Sequence, residues 1–157
     1  MNTDLTWRIV STGLDDTERL AVQLGSQLRG SEVIELISDV GGGKTTFVRG
    51  LAKGMGSTDT VASPTFTISR EYRAGARTLY HFDFYRLNDP GIVANELAEA
   101  VSDPTGVVVI EWANIVENVL PADKLTIAIK STSETERLFS FTSPASLQYL
   151  QPIIQKA

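Results

Sequence analysis

Residues 36–46 read LISDVGGGKTT, an apolar run followed by three glycines, a lysine and two threonines. The segment EVIELI at 32–37 is short and rich in β-branched residues, which predicts a buried strand. From Thr45 onward the apolar residues recur at helical spacing, and Gly54 and Gly56 are expected to end that helix. The stretch therefore predicts a strand, a glycine-rich loop and a helix in direct succession.

The loop between this strand and helix predicts a phosphate-binding site. Successive backbone N–H groups in such a loop form an anion-binding nest, and the positive end of the helix dipole adds to it. Lys44 is then expected at the β- and γ-phosphates of a nucleotide, with the Thr45 hydroxyl on Mg²⁺. The pattern GxxxxGK[ST] requires glycine at position 38, where this chain has Ser38. The alternative interpretation is a glycine-rich turn beside an ordinary surface lysine.

Two acidic residues are candidates for the chemistry of this site. VVVIEW at 107–112 is expected to be a buried strand, and it places Glu111 where a P-loop ATPase needs an acid near its metal. In YHFDFYR, strand alternation puts His81, Asp83 and Tyr85 on one face, so Asp83 is a candidate to orient or deprotonate the attacking water. The alternatives are an acid emerging into solvent at a strand end, and a polar solvent face. For His81, a structural hydrogen bond is favoured over a role in polarising Asp83.

A further candidate lies in SPTFT at 63–67. This segment follows the helix, and Thr65 is a candidate to sense the γ-phosphate and Mg²⁺ as part of a switch loop. A proline turn that leads into a strand is an equally good interpretation of the same residues.

The rest of the chain alternates between helical and strand patterns. Helices are predicted at 15–29, ended by Gly30, and at 92–101; strands are predicted at 65–72, 77–87, 125–130 and 137–143, the first two forming an antiparallel hairpin through AGA. This order predicts an α/β fold, a P-loop NTPase-like three-layer sandwich. Its mixed sheet is expected to have parallel core strands and antiparallel additions, in one domain over residues 1–157.

Composition excludes several classes of function. The 157 residues carry a net charge of −5 and no cysteine, and there is one histidine. A histidine–cysteine metal site is therefore excluded, and a Ser–His–Asp triad has little support. A protein that grips nucleic acid alone usually has a basic face, so unaided RNA or DNA binding is not expected. The chain start lacks a signal peptide pattern and no apolar run is long enough for a membrane span, so a soluble cytoplasmic protein is expected.

With these pieces in order, the chain resembles the bacterial TsaE (YjeE) family. The resemblance is carried by SDVGGGKTTFVRGLAKGMG, VASPTFT, YHFDFYRL and VVVIEW, which occur in this order over roughly residues 15–130. It implies an ATPase that supports threonylcarbamoylation of the tRNA adenosine next to the anticodon. The partners implied are the TsaD and TsaB proteins, with TsaD carrying the transferase site. tRNA would be met only through that complex, and membrane and DNA are not implied.

The resemblance also implies roles for individual residues. Phosphates would be held by Gly41, Gly42, Gly43, Lys44, Thr45 and Thr46, and Mg²⁺ by Thr45 and Glu111. Asp83 matches the aspartate of the family's HxD motif, Thr65 the switch threonine, and Trp112 an aromatic residue for packing or partner contact. Arg137 is a looser match to an arginine near the nucleotide. Ser38 and the segment NDPGIVANELAEAVSDPTG depart from the family pattern.

The sequence thus predicts a protein that binds ATP·Mg²⁺ and hydrolyses it slowly when alone, with a partner completing the site. Two rival functions use the same loop. One is a small-molecule kinase, although no arginine cluster suited to a lid follows residue 112. The other is a nucleotide-sensing module that binds a partner without hydrolysis.

Overall fold

The structure, a computed structural model, describes residues 4–38, 43–61, 69–85, 87, 89 and 91–150. Its strands are β1 (Leu5–Ser11), β2 (Val33–Ser38), β3 (Ser69–Ala74), β4 (Arg77–Asp83), β5 (Gly106–Glu111), β6 (Leu125–Ser131) and β7 (Arg137–Ser143). Its α-helices are α1 (Leu14–Gln27), α2 (Lys44–Met55) and α3 (Gly91–Ser102), and two 3-10 helices span Ala113–Val116 and Ala145–Leu150.

The seven strands form one sheet in the order β1-β7-β6-β2-β5-β4-β3. Strands β6, β2, β5 and β4 are parallel neighbours at its centre. Strands β7 and β1 extend one side in antiparallel fashion, and β3 closes the other side by pairing with β4. The predicted mixed sheet, with parallel core strands and antiparallel additions, is confirmed.

Helices cover the sheet on both faces, as the alternation of strands and helices predicted. One core joins α1 and α2 to the sheet through residues such as Leu24, Phe47 and Phe139. The second core lies on the opposite face, where Leu97 of α3 packs with Phe82 and Ile110. Within the described ranges, no helix is both long and apolar enough to span a bilayer.

Several predicted boundaries need correction. Helix α1 ends at Gln27, before the predicted boundary at 29, and β4 ends at Asp83, before Leu87. Gly54 lies inside α2, so Gly56 alone ends that helix, with a left-handed φ of 98°. In the predicted hairpin, β3 begins at Ser69, and residues 65–68 lie outside the described residues.

Strand β1 has no counterpart among the predicted elements. It forms the outer edge of the sheet, where Trp7 lies opposite Phe141 and Ile9 opposite Phe139 of β7. Trp7 and Ile9 pack against the larger core, whereas the residues that alternate with them are exposed, namely Thr6, Arg8 and Val10. The strand therefore covers one side of a core that the rest of the chain builds.

Candidate functional site

The site lies at the carboxyl ends of the central parallel strands. Strands β2, β4 and β5 end in Ser38, Asp83 and Glu111, and Asp83 lies directly opposite Glu111 in the register. In parallel α/β sheets, ligands bind outside these strand ends, where neighbouring connections leave in opposite directions. Chain connections do so here, because the chain continues from β2 to β3 and β4 on one side of the sheet, whereas it continues from β5 to β6 on the other side. The fold therefore brings three of the singled-out positions to one edge.

The N-terminus of α2 opens onto the same edge. Gly43 precedes the helix with φ 96° and ψ 15°, a left-handed conformation that favours glycine. Within the described ranges, no side chain caps this helix end, and the first turn of the helix has no acidic residue. The first N–H groups of a helix have no partner within it, and together with the helix dipole they favour an anion.

Lys44 is largely buried and lies beside a backbone carbonyl and a carboxylate. Its Nζ lies 3.3 Å from the carbonyl oxygen of Ser38 and 3.3 Å from Oε1 of Glu111. The same ammonium lies 5.4 Å from the centre of the Trp112 ring. The alternative of an ordinary surface lysine is therefore wrong, because only 10% of this side chain is exposed.

Glu111 is the buried acid of the site. Its Oε2 accepts a hydrogen bond from Nε2 of His81 at 2.5 Å, while its Oε1 faces Lys44. Burial by itself would raise the pKa of Glu111, but the His81 hydrogen bond and the charges of His81 and Lys44 together hold that pKa below its usual value. Glu111 is therefore a carboxylate at neutral pH, and the alternative of an acid emerging into solvent is wrong.

Asp83 is the second acid, and its environment differs. Its Oδ1 accepts a hydrogen bond from the backbone N–H of Tyr85 at 3.0 Å. Burial, followed by the nearby Glu111 carboxylate, raises the pKa of Asp83 above its usual value. Two neighbouring carboxyl groups with pKa shifts in opposite directions are a common arrangement at functional sites.

The predicted alternation in β4 is correct and the favoured structural hydrogen bond of His81 is confirmed, whereas the alternative of a polar solvent face is wrong for His81. Phe82 pairs with Phe84 in the second core, whereas His81 is completely buried on the other side. A polar solvent face would leave His81 exposed. Its hydrogen bond goes to Glu111, thirty positions further along the chain, which alternation within one strand did not indicate.

The remaining predicted residues fall into three groups. Thr45 and Thr46 lie in the first turn of α2, partly exposed at the site, whereas Gly41, Gly42 and Thr65 lie outside the described residues. Arg137 begins β7 at the same edge of the sheet, beside Ser131. Its guanidinium donates to the backbone carbonyls of Ser133, Glu134 and Glu136, so the structure does not join it to Lys44 and Glu111.

The donor set can be tested for a metal. Among the described residues, no group of three or more His, Asp or Glu side chains is arranged to hold an ion. Mg²⁺ usually takes one or two carboxylates together with water and substrate phosphates, so it does not need such a group. Thr45 and Glu111 offer the hydroxyl and carboxylate oxygens that Mg²⁺ prefers, and both lie beside the uncapped helix end. The residues present therefore fit an ion that is held jointly with a phosphate ligand.

An exposed aromatic pair borders the site, and its geometry was not predicted. The rings of Tyr85 and Trp112 lie 5.0 Å apart, with 53% and 38% of the two residues exposed. Trp112 has φ 58°, an uncommon conformation for a bulky residue. The only signal in the sequence was that each aromatic residue follows a candidate acid at a strand end.

Comparisons with known proteins agree on one family. The family model described as threonylcarbamoyl adenosine biosynthesis protein TsaE matches residues 11–139. A tRNA threonylcarbamoyladenosine biosynthesis protein TsaE from Bacillus subtilis strain 168 is 39% identical over 88% of this chain and 85% of its own length. Its counterpart from Treponema pallidum is 38% identical over 83% and 96%. The crystal structure of Bacillus subtilis YdiB matches with a TM-score of 0.76 and 32% identity, covering 99% of this chain and 97% of that chain.

Proposed function

Because this chain belongs to the TsaE family of tRNA threonylcarbamoyladenosine biosynthesis proteins, we propose that it binds ATP with Mg²⁺ and hydrolyses it slowly in that pathway. The observation that carries the proposal is the placement of Lys44. Its ammonium is buried at an uncapped helix N-terminus, within 3.3 Å of a carboxylate and close to a second acid. The pKa values of the two acids, Asp83 and Glu111, are shifted in opposite directions, and perturbed pKa values of this kind cluster at functional sites.

Each residue has a defined task in this proposal. Lys44 and the backbone N–H groups around Gly43 would neutralise the β- and γ-phosphates, since phosphoryl transfer depends mainly on positioning and electrostatic stabilisation. Thr45 and Glu111 would hold Mg²⁺, which supplies charge neutralisation to the phosphate oxygens when it is bound. Gly41, Gly42, Thr46, Thr65 and Arg137 remain proposed nucleotide contacts.

Asp83 is the proposed partner of the attacking water. It lies beside Glu111 in the sheet but does not share the His81 bond, and no described residue hydrogen bonds to its second carboxyl oxygen, which would be the one that meets the water. Its raised pKa also makes it a better proton acceptor than an ordinary aspartate. We propose that Asp83 orients this water, and that slow turnover by the isolated chain reflects a site that a partner completes.

The proposed partners are TsaD and TsaB, with docking controlled by ATP and hydrolysis resetting the complex. Family membership supports this part of the proposal, and the net charge of −5 agrees with a protein that meets tRNA only through its partners.

Phosphate release by purified protein tests the ATPase proposal. Lys44→Ala and Asp83→Asn are each expected to lower the turnover of ATP by about 100-fold or more, as in other sites where a charge-stabilising or water-positioning group is removed. Lys53→Ala is the matched control, because Lys53 lies in the same helix with 68% of its side chain exposed. Phosphate release at the wild-type rate by Lys44→Ala would refute the proposal. Transfer of phosphate to an added metabolite would identify a kinase instead.

Capture of TsaD and TsaB on the immobilised chain tests the docking proposal separately. Capture is expected with ATP and Mg²⁺, and much less without nucleotide or with the Lys44→Ala protein. Equal capture in all three conditions would mean that docking is independent of ATP.

A further inference from the structure

His81 occupies a position that core packing alone does not explain. The side chain is completely buried, and its Nε2 donates to Oε2 of Glu111 at 2.5 Å. Among the described residues, no group hydrogen bonds to the other ring nitrogen, Nδ1, although it is buried. A buried polar atom without a partner lowers the free energy of unfolding, and an apolar side chain would avoid that loss. The hydrogen bond to Glu111 is therefore the interaction that accounts for a histidine at this buried position.

The two oxygens of Glu111 have different partners. Oε2 is bound to His81 inside the protein, whereas Oε1 faces the Lys44 ammonium at 3.3 Å, on the side of the helix N-terminus. Lys44 is the group expected to turn toward phosphates when ATP binds. Oε1 is then available to the metal, while the partner of Oε2 stays in place because His81 belongs to the buried centre of β4.

We propose that His81 is a positioning residue for Glu111. It holds one oxygen of the carboxylate in both the nucleotide-free and the nucleotide-bound protein, and thereby fixes the orientation of the other oxygen toward Mg²⁺. This inference rests on the ATPase function proposed above. Removing a group that hydrogen bonds to a metal ligand typically lowers metal affinity or activity by about 10- to 100-fold.

Two substitutions separate positioning from core packing. In His81→Gln the side-chain amide nitrogen is the same number of bonds from Cα as Nε2, so a donor to Glu111 is retained. In His81→Asn the amide nitrogen is one bond closer to Cα than Nε2, so the donor does not reach the position of Nε2 in either orientation of the amide. Both variants place an amide in the same buried position, and their melting temperatures measure the structural effect that they share.

The first readout is the dependence on Mg²⁺. His81→Asn is expected to raise the Mg²⁺ concentration for half-maximal ATPase activity by about 10-fold or more. It is also expected to remove most of the Mg²⁺-dependent gain in affinity for a non-hydrolysable ATP analogue, measured by calorimetry with and without EDTA. His81→Gln is expected to stay within about threefold of wild type in both measurements, well inside the effect of losing the partner. Equal effects of the two variants, or no effect of either, would overturn the proposal.

A second readout uses the wild-type protein and does not depend on either variant folding. His81 is the only histidine in the chain, so ¹⁵N-labelled histidine in protein without a histidine tag gives one set of ring signals. We expect a protonated, slowly exchanging Nε2 in the nucleotide-free protein and again with Mg²⁺ and the ATP analogue. Loss of that hydrogen-bonded signal when the analogue binds would overturn the proposal.

The outcomes also distinguish this inference from the ATPase proposal. If Lys44→Ala is inactive, and His81→Asn and His81→Gln show the same dependence on Mg²⁺, only the positioning role fails. If Lys44→Ala hydrolyses ATP at the wild-type rate, the ATPase proposal itself fails, whatever His81 does.

Discussion

At the scale of single residues, Asp83 combines a candidate catalytic position with an unfavourable environment. It is a carboxyl group that is partly buried beside a second carboxylate, and both features raise its pKa. The folded protein therefore binds a proton at Asp83 more tightly than the unfolded chain does. The ionised form consequently destabilises the fold at every pH above the folded pKa, and this effect disappears below the unfolded value of about 3.9.

We therefore expect Asp83→Asn to raise the free energy of unfolding at pH 7 while it lowers ATPase activity. Asparagine keeps an oxygen that accepts the N–H of Tyr85, so the local turn survives. The free energy of unfolding should rise by about 0.5–1 kcal/mol, which is typical when a functional but destabilising charge is removed. This difference from wild type should vanish near pH 3. Urea denaturation at the two pH values measures it. A loss of stability at pH 7 would contradict the expectation.

At the scale of elements, the contact between α1 and α2 depends on two glycines, one of which, Gly54, was predicted to end a helix. A Cβ built on Gly54 would lie 2.1 Å from the carbonyl oxygen of Val22, and one on Gly25 would lie 2.4 Å from that of Leu51. These glycines allow the backbones of the two helices to approach closely. Gly54 resembled a stop signal because glycine weakens an isolated helix, and its partner in α1 is distant in sequence.

Gly54→Ala is expected to destabilise the protein by about 1–3 kcal/mol, because overpacking outweighs the better helix propensity of alanine. Gly13→Ala is the control, since its backbone is extended and nothing lies within 4 Å of the added Cβ. Thermal unfolding of both variants measures the difference. If the Gly54→Ala protein is as stable as wild type, the two helices can move apart without loss of packing, and the prediction is wrong.

The elements that the sequence predicted well are those with strong local signals. Strand β5 is buried on both faces and is therefore apolar up to its last residue, Glu111, and α2 repeats its apolar residues at helical spacing. Strand β1 was missed because its only strand partner is β7, at the other end of the chain, so no local pattern indicates the pairing. The same limitation applies to the site: Lys44 and Glu111 were assigned individually, whereas the His81–Glu111 bond depends on the register between β4 and β5.

At the scale of the whole molecule, charge determines which partners can bind directly. The 14 basic and 19 acidic residues give a net charge of −5, and the chain belongs to a family that acts in tRNA modification. An acidic protein gains little from releasing counterions on RNA. We therefore expect the isolated chain to bind tRNA with a Kd weaker than about 100 μM at physiological salt. Fluorescence anisotropy with labelled tRNA measures this, and micromolar binding would contradict it.

The burial of Lys44 beside Glu111 has a thermodynamic consequence for the same molecule. The Lys44 ammonium already forms an ion pair with the Glu111 carboxylate. Any anion that binds Lys44 must therefore compete with this internal carboxylate. Under the proposed function, the affinity for nucleotide would be a difference between two ion pairs, and the internal pair would re-form whenever the nucleotide left. Such an arrangement would favour exchange of the nucleotide over its long retention, as the proposed cycle of ATP binding and hydrolysis requires.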